Sequence, residues 1–257
     1  ALLALTGIFF GMAHAADPVF TEKNGLVVIE AESHNMVGKW VKRSDSYTLT
    51  GSKTTAGATG SGCIHYTGNT ESSGSANDKM TYKVKISNAG TYRLHVRGME
   101  APIQSGLGDR ANDCYVQMQG QSGCEGNLTK HVLIGPSYEW SWNTKLECSH
   151  HSFSDAKYDL SAGTHSLVIA GRSKNYLVDR IVLARSSVSN PRSLNHAESD
   201  GGSSSGGDPS APATSITSPG DGFTFEAGTE YTLTGDGKNL SWSYDANADG
   251  KAKVSIG

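Results

Sequence analysis

Val28-Ile29-Glu30-Ala31-Glu32 and Tyr176-Leu177-Val178-Asp179-Arg180-Ile181-Val182-Leu183 are the two stretches whose reading decides the fold. Both have the β-branched, apolar composition of strands. Successive side chains on a strand point to opposite faces, which puts Glu30 and Glu32 on the face of Val28, and Asp179 on the face of Leu177, Ile181 and Leu183. Carboxylates then stand among core residues, where an ionised acid is very costly unless paired or bound to a metal. No basic residue alternates with these three on the same faces. A hard cation resolves the conflict. Calcium takes oxygen ligands, commonly a few carboxylates completed by backbone carbonyls, and the glycine-rich run Gly57-Ala58-Thr59-Gly60-Ser61-Gly62 offers such carbonyls. The expectation is a structural calcium ion held by Glu30, Glu32 and Asp179. The alternative is an edge strand on which Glu30 or Glu32 faces solvent.

Working outward, the chain from Leu26 on is a series of short alternating runs broken by Gly, Asn and Ser, without an amphipathic helical stretch. Met80 to Ile86 alternates, Ser87-Asn88-Ala89-Gly90 turns, and Tyr92 to Arg97 alternates again. Cys114 to Met118, Phe153 to Leu160 and Leu167 to Ala170 come next, and the Asp179 strand closes the set. The spacing predicts an all-β fold: two antiparallel sheets packed face to face with long loops at one end. The 257 residues suffice for one β-sandwich and part of another domain, and a net charge of −3 implies neither nucleic acid nor an anionic membrane as partner.

The ends read differently. Residues 1–15 are apolar and close on the small-x-small pattern Ala13-His14-Ala15, as a signal peptide does, so the expected location is secreted. No Cys follows the cleavage point, which argues against a lipid anchor, and nothing else approaches a transmembrane span. The expected sandwich occupies 16–198. Residues 199–213 are rich in Ser, Gly, Pro and Asp and read as a flexible linker. Residues 214–257, with runs at Tyr231–Thr234 and Leu240–Tyr244, read as the opening strands of an immunoglobulin-like domain that continues past Gly257. In an oxidising compartment Cys63, Cys114, Cys124 and Cys148 suggest two disulfides rather than zinc. Three pairings are possible; Cys114 with Cys124 and Cys63 with Cys148 is the one favoured.

Val28 to Glu32, Gly60-Ser61-Gly62, Ala89-Gly90-Thr91-Tyr92-Arg93-Leu94-His95-Val96-Arg97, Ala162-Gly163-Thr164-His165 and Leu177 to Ile181 together resemble carbohydrate-binding modules related to families 6 and 35, over Leu26 to Arg185. With Trp140-Ser141-Trp142 before the Ala-Gly-Thr-His turn and Ile169-Ala170-Gly171-Arg172 after it, the chain looks like modules attached to bacterial enzymes that attack algal and plant polysaccharides. The resemblance implies a β-jelly-roll, a calcium ion on Glu30, Glu32 and Asp179, and no catalysis by the module itself. It carries the sugar-stacking ring to Trp140 or Trp142 and the polar contact to Asn175, in a loop-end cleft that holds a polysaccharide, with a catalytic domain in the same or a neighbouring chain. The loop Glu100–Asn112 and the run Glu147–His151 depart from the pattern.

An indole suits a sugar because it covers the C–H face of the ring without desolvating the hydroxyls at its edge, although either Trp could equally be core. Asn175 could equally be a turn former. Arg172 and Lys174 are candidates for reading a carboxylate or sulfate. His131, His150 and His151 fit no zinc spacing and show no acidic partner beside them, and Asp245 to Gly250 lacks the closing acid of a calcium loop, since Ile256 stands there. A nucleophile elbow, a cleft-lining carboxylate pair and a Cys/His pair are not found, which favours a binding module over an enzyme. The alternative is an adhesion domain without a sugar pocket.

Overall fold

The computed structural model describes residues 17–71, 73–103 and 110–203, with four two-residue strands beyond them. The chain divides into two compact units, 1–205 and 206–257. In the first unit the chain begins with β1 (Pro18–Thr21), β2 (Leu26–Glu30), β3 (Trp40–Arg43), β4 (Thr48–Thr50), β5 (Lys53–Thr54), β6 (Cys63–Tyr66), β7 (Asn77–Ile86) and β8 (Gly90–Glu100). It continues with β9 (Asp113–Met118), β10 (Thr129–Val132), β11 (Ser141–Asn143), β12 (Lys145–Ser149) and β13 (Ser152–Asp155). The last are β14 (Lys157–Leu160), β15 (Gly163–Gly171), β16 (Tyr176–Arg185) and β17 (Gly201–Ser203).

Two sheets face each other. One has the order β13-β12-β10-β9-β15-β7-β1-β17; the other runs β11-β8-β16-β6-β3, with β14 also on β8 and β2 also on β16. The sheets are antiparallel except for β1 beside β7. The alternation read from the sequence places the core. In β7, Met80, Tyr82, Val84 and Ile86 point inward and are buried, whereas Lys79 and Lys85 are exposed. They meet Ile29, Ile64, Leu94, Val96, Ile181 and Leu183 from the second sheet. The all-β sandwich expectation holds.

Three local readings are corrected. Phe153 to Leu160 is not one strand: β13 belongs to the first sheet and β14 to the second, and the chain crosses between them at Ala156, whose N–H and C=O bond Thr144 and Leu94. The linker does not start at Ser199. Ser199 N–H donates to Val28 O at 2.8 Å, and Gly201–Ser203 pairs with β1, because main-chain ladder bonds need no apolar side chains. The disulfide joins Cys124 to Cys148, and Cys63 and Cys114 are free and buried. The favoured pairing fails because β12 brings Cys148 to Cys124, at 5.4 Å between Cα atoms, while Cys63 lies in a separate cluster with Met99 and Leu177.

The expected signal peptide, residues 204–213 and the runs Tyr231–Leu233 and Leu240–Tyr244 lie outside the described residues. In the second unit Thr217–Ser218 pairs with Thr234–Gly235, and Thr224–Phe225 with Ala252–Lys253, both antiparallel. No helix among the described residues is long and apolar enough to cross a membrane.

Alkylation of the unfolded, unreduced chain should modify Cys63 and Cys114 and leave Cys124 and Cys148 protected, a pattern that peptide mapping reads directly. Cys148→Ser should lower unfolding free energy by about 3 kcal/mol, the loop-closure value for that separation in sequence, as measured by denaturant titration.

Candidate functional site

The acids of the opening stretches meet, but not as strand alternation would place them. Strand β2 ends at Glu30, and a 3-10 turn, Ala31–Ser33, swings Glu32 round to the same place. Asp179 is a β-bulge: Val178 pairs with Gly98 and Arg180 with Arg97, leaving Asp179 as the extra residue. One extra residue reverses the parity of the rest of the strand. Ile181 and Leu183 therefore face the core, while Asp179 and Arg180 both serve the outer side of the second sheet, with Val28 and Val182. Burial there is nonetheless deep, with Asp179 at 0%, Glu32 at 4% and Glu30 at 5% exposure.

Counter-charges come from where alternation hid them. Arg97 Nη1 donates to Asp179 Oδ2 at 2.6 Å and to Gly57 O at 2.9 Å, and Arg180 Nη2 pairs with Glu30 Oε1. The expectation that no basic residue serves these acids is thus corrected. Arg180 reaches Glu30 because the bulge re-aims it, and Arg97 comes from the neighbouring strand β8. The loop 57–62 closes over the group. Thr59 N–H donates to Asp179 Oδ1 at 2.6 Å, Thr59 Oγ1 to Glu30 Oε2 at 2.7 Å, and Ser61 N–H to Glu32 Oε1 at 2.7 Å. Gly60 has φ +57°, and a Cβ there would stand 2.4 Å from Glu32 Oε1, so the loop needs glycine both for its turn and for its approach.

Two arginines serve three acids, and Glu32 is the one without a counter-ion among these contacts. Its Oε2 is buried with no hydrogen-bond partner. Burial, reinforced by the charges of Glu30 and Asp179, pushes its carboxyl up to about 7, and burial also raises Asp179. The donor types are those a hard cation takes: the carboxylate oxygens of Glu30, Glu32 and Asp179 and the hydroxyls of Thr59 and Ser61, with Glu32 Oε2 left unpartnered. Glu30, Glu32 and Asp179 would hold such an ion.

A second feature lies beside Asn175. Asn175 has φ +67° and opens β16 as a turn residue while lining a cleft of about 280 Å³ with Tyr47, His65, Ile103 and Lys174. Its side chain is fixed from both ends. His65 Nε2 donates to Oδ1 at 3.1 Å, and Nδ2 donates to Glu71 Oε1 at 2.7 Å. Arg43 Nε donates to His65 Nδ1 at 3.4 Å, which requires a neutral imidazole; burial lowers that His to about 4 and keeps it neutral. The Arg43 guanidinium also covers the Tyr47 ring at 4.0 Å.

The model of the glycosyl hydrolase family 115 C-terminal domain matches residues 19–193 of the chain. The chain belongs to this family. The domain is also similar to solved structures. One is the Podospora anserina GH26-CBM35 β-(1,4)-mannanase, at 17% identity and TM-score 0.41, covering 66% of this chain and 29% of that one. Others are a CBM35 from Paenibacillus barcinonensis (14%, 0.40, covering 62% and 99%) and a CBM6 from Cellvibrio mixtus lichenase 5A in complex with cellotriose (16%, 0.37, covering 62% and 97%). No curated protein matches the chain.

In this domain the residues expected to bind sugar do not share one cleft. Trp140 is half-buried, its ring 5.3 Å from the Arg97 guanidinium and its Nε1 donating to Ala56 O at 3.2 Å, so it braces the loop over the acids. Trp142 packs with Val28, Val182 and Val188. Arg172 Nη1 is bound to both oxygens of Asp113, at 2.6 and 2.8 Å. Asn175 alone of the four lines the cleft. Tyr47, His65 and Glu71 escaped the sequence reading; the signal for Tyr47 was an aromatic in a polar loop. His131 is buried in the fold, away from His150 and His151, whose acidic neighbour is Glu147.

The raised carboxyl of Glu32 has a sign. Below the ordinary carboxylate range it is protonated in both states; as pH rises toward 7 the unfolded chain ionises first, so the folded state loses stability, and above about 7 the loss is constant. In chelator the melting temperature should therefore fall between about pH 5 and 7, and Glu32→Gln should flatten that slope in a thermal scan.

Proposed function

We propose that this domain is a non-catalytic, secreted sugar-binding β-sandwich of a polysaccharide-degrading protein, with calcium as a structural ion on Glu30, Glu32 and Asp179. The observation that carries the binding reading is the Asn175 amide, clamped between His65 and Glu71 at a cleft that also bears Tyr47 and Lys174. A clamped amide meets a hydroxyl without losing rotamer entropy on binding. Tyr47 offers a ring edge or face to a pyranose, and Lys174 a positive charge for a carboxylate or sulfate substituent. Membership in a glycosyl hydrolase family's C-terminal domain fits attachment to a catalytic domain. Against catalysis by the domain stands the use of its clustered acids: Glu30 and Asp179 are paired with arginines under a closed loop.

Trp140 enters this reading as the brace of the neighbouring wall, with Leu49, which lines the cleft, packed in the same cluster. Arg172 supports Ser173 and Asp113 behind the turn. Trp142 is left as a packing residue.

Affinity electrophoresis on agar, carrageenan, alginate, xylan and pectin gels tests the function. Tyr47→Ala and Asn175→Ala should each weaken retardation by about 1 to 3 kcal/mol in binding free energy, Asn175→Ala also lowering the melting temperature because it puts alanine at φ +67° and leaves His65 without its partner, while Trp142→Ala should leave retardation intact. Retardation unchanged in both cleft variants would move the site elsewhere, and a parent retarded by no gel would favour the adhesion reading.

Calcium binding to the native state alone stabilises by about 2.7 kcal/mol at one hundred times Kd. Chelator should therefore lower the melting temperature of the parent and leave that of Asp179→Asn nearly unchanged; a parent curve indifferent to chelator would remove calcium from the reading.

A further inference from the structure

The Glu147–His151 run, which departs from the family resemblance, makes a compact cluster far in sequence from both features above. Strand β12 bulges at Cys148, between Glu147 and Ser149, and the chain turns back through His150 and His151 into β13. His151 takes the left-handed conformation at φ +56°, which folds the turn over the Glu147 side chain, itself only 6% exposed. The two imidazoles are exposed, with ring centroids 4.0 Å apart. One donor atom from each of Glu147, His150 and His151 lies within 4.8 Å of the others, the one such set of His, Cys, Asp or Glu among the described residues.

We propose that Glu147, His150 and His151 form a surface site for a divalent first-row transition cation such as zinc or copper(II). The carboxylate is positioned before any ion arrives. Lys130 Nζ holds Oε2, and Oε1 accepts the His151 N–H at 2.9 Å while standing 3.8 Å from His150 Nδ1. The Cys124–Cys148 disulfide ties the base of the turn to the segment Gly123–Gly126, so the two histidines are held on a fixed hairpin. Two neutral imidazoles and one carboxylate oxygen suit zinc, copper or nickel and disfavour calcium, which takes oxygens. Three protein donors leave remaining positions to water, as in open zinc sites. A pair of histidines on an exposed hairpin has no packing role to explain its placement beside a partly buried acid.

Zinc chloride titrated calorimetrically into the full, untagged, disulfide-intact chain, with calcium present to occupy oxygen-only sites, tests this. One zinc should bind per chain. His150→Ala and His151→Ala should each weaken binding by roughly tenfold or more, and Glu147→Gln should weaken it as well. Copper(II) electron paramagnetic resonance should show two nitrogen donors in the parent and one in either histidine variant. The melting curve of His150→Ala should match the parent, because its ring lies outside the core, while His151→Ala should lose only the small backbone preference of a left-handed position. Absence of zinc uptake at about 1 mM, a level that excludes affinities tighter than millimolar, would overturn the proposal, as would uptake undiminished in a His150→Ala/His151→Ala double variant.

Discussion

The structure depends on how three carboxylates are kept under a loop on the outer side of a β-sheet. Isolated, each would be strongly disfavoured in its ionised form. The fold answers with a bulge at Asp179, which sends Asp179 and Arg180 to the same side of the second sheet, and with Arg97 from the neighbouring strand. Thr59 bridges Glu30 and Asp179, and Gly60 allows the loop to descend onto Glu32. Removing Glu30, Asp179, Arg97 or Arg180 leaves its partner buried and unpaired, which is why this group constrains its surroundings more than an apolar patch of the same size would.

The same loop reaches the cleft. Thr55, at its start, donates from Oγ1 to Ser44 O and accepts from the Tyr47 N–H at 3.0 Å, which sets the segment that carries the Tyr47 ring. Trp140 lies across Ala56 and Gly57 with its ring near Arg97. Acid cluster, brace and cleft wall are thus contiguous through hydrogen bonds and packing, and an ion that neutralised Glu32 would act on the cleft by holding this loop, with no contact to a ligand.

Away from the bulges the domain is built on ordinary alternation. β7 and β15 contribute one inward face, β8 and β16 the other, and large aromatic side chains such as Tyr82, Tyr92, Tyr158 and Tyr176 fill the space between. Buried Asp113 and Ser173 form a polar knot with the partly buried Arg172 beside the turn that presents Asn175. Rigid supports of this kind are what a site on loops requires, since the loops themselves lack a core.

The sequence by itself determined the sandwich, because period-two alternation in Met80–Ile86 and Tyr92–Arg97 leaves one way to bury their apolar faces. It also singled out Glu30, Glu32 and Asp179 as acids that need an answer, and Asn175 as a turn residue that could meet a ligand. It did not contain the answer. The bulge at Asp179 is a tertiary event that shifts parity by one residue, so Ile181 and Leu183 went to the core and Arg180 to Glu30, against strict alternation. Pairings between distant segments, Arg97 with Asp179, Cys124 with Cys148, Asn175 with His65 and Glu71, depend on which strands become neighbours. The two tryptophans, two residues apart, parted for the same reason: one braces a loop and the other packs on the sheet, as the elements that reached each of them decided.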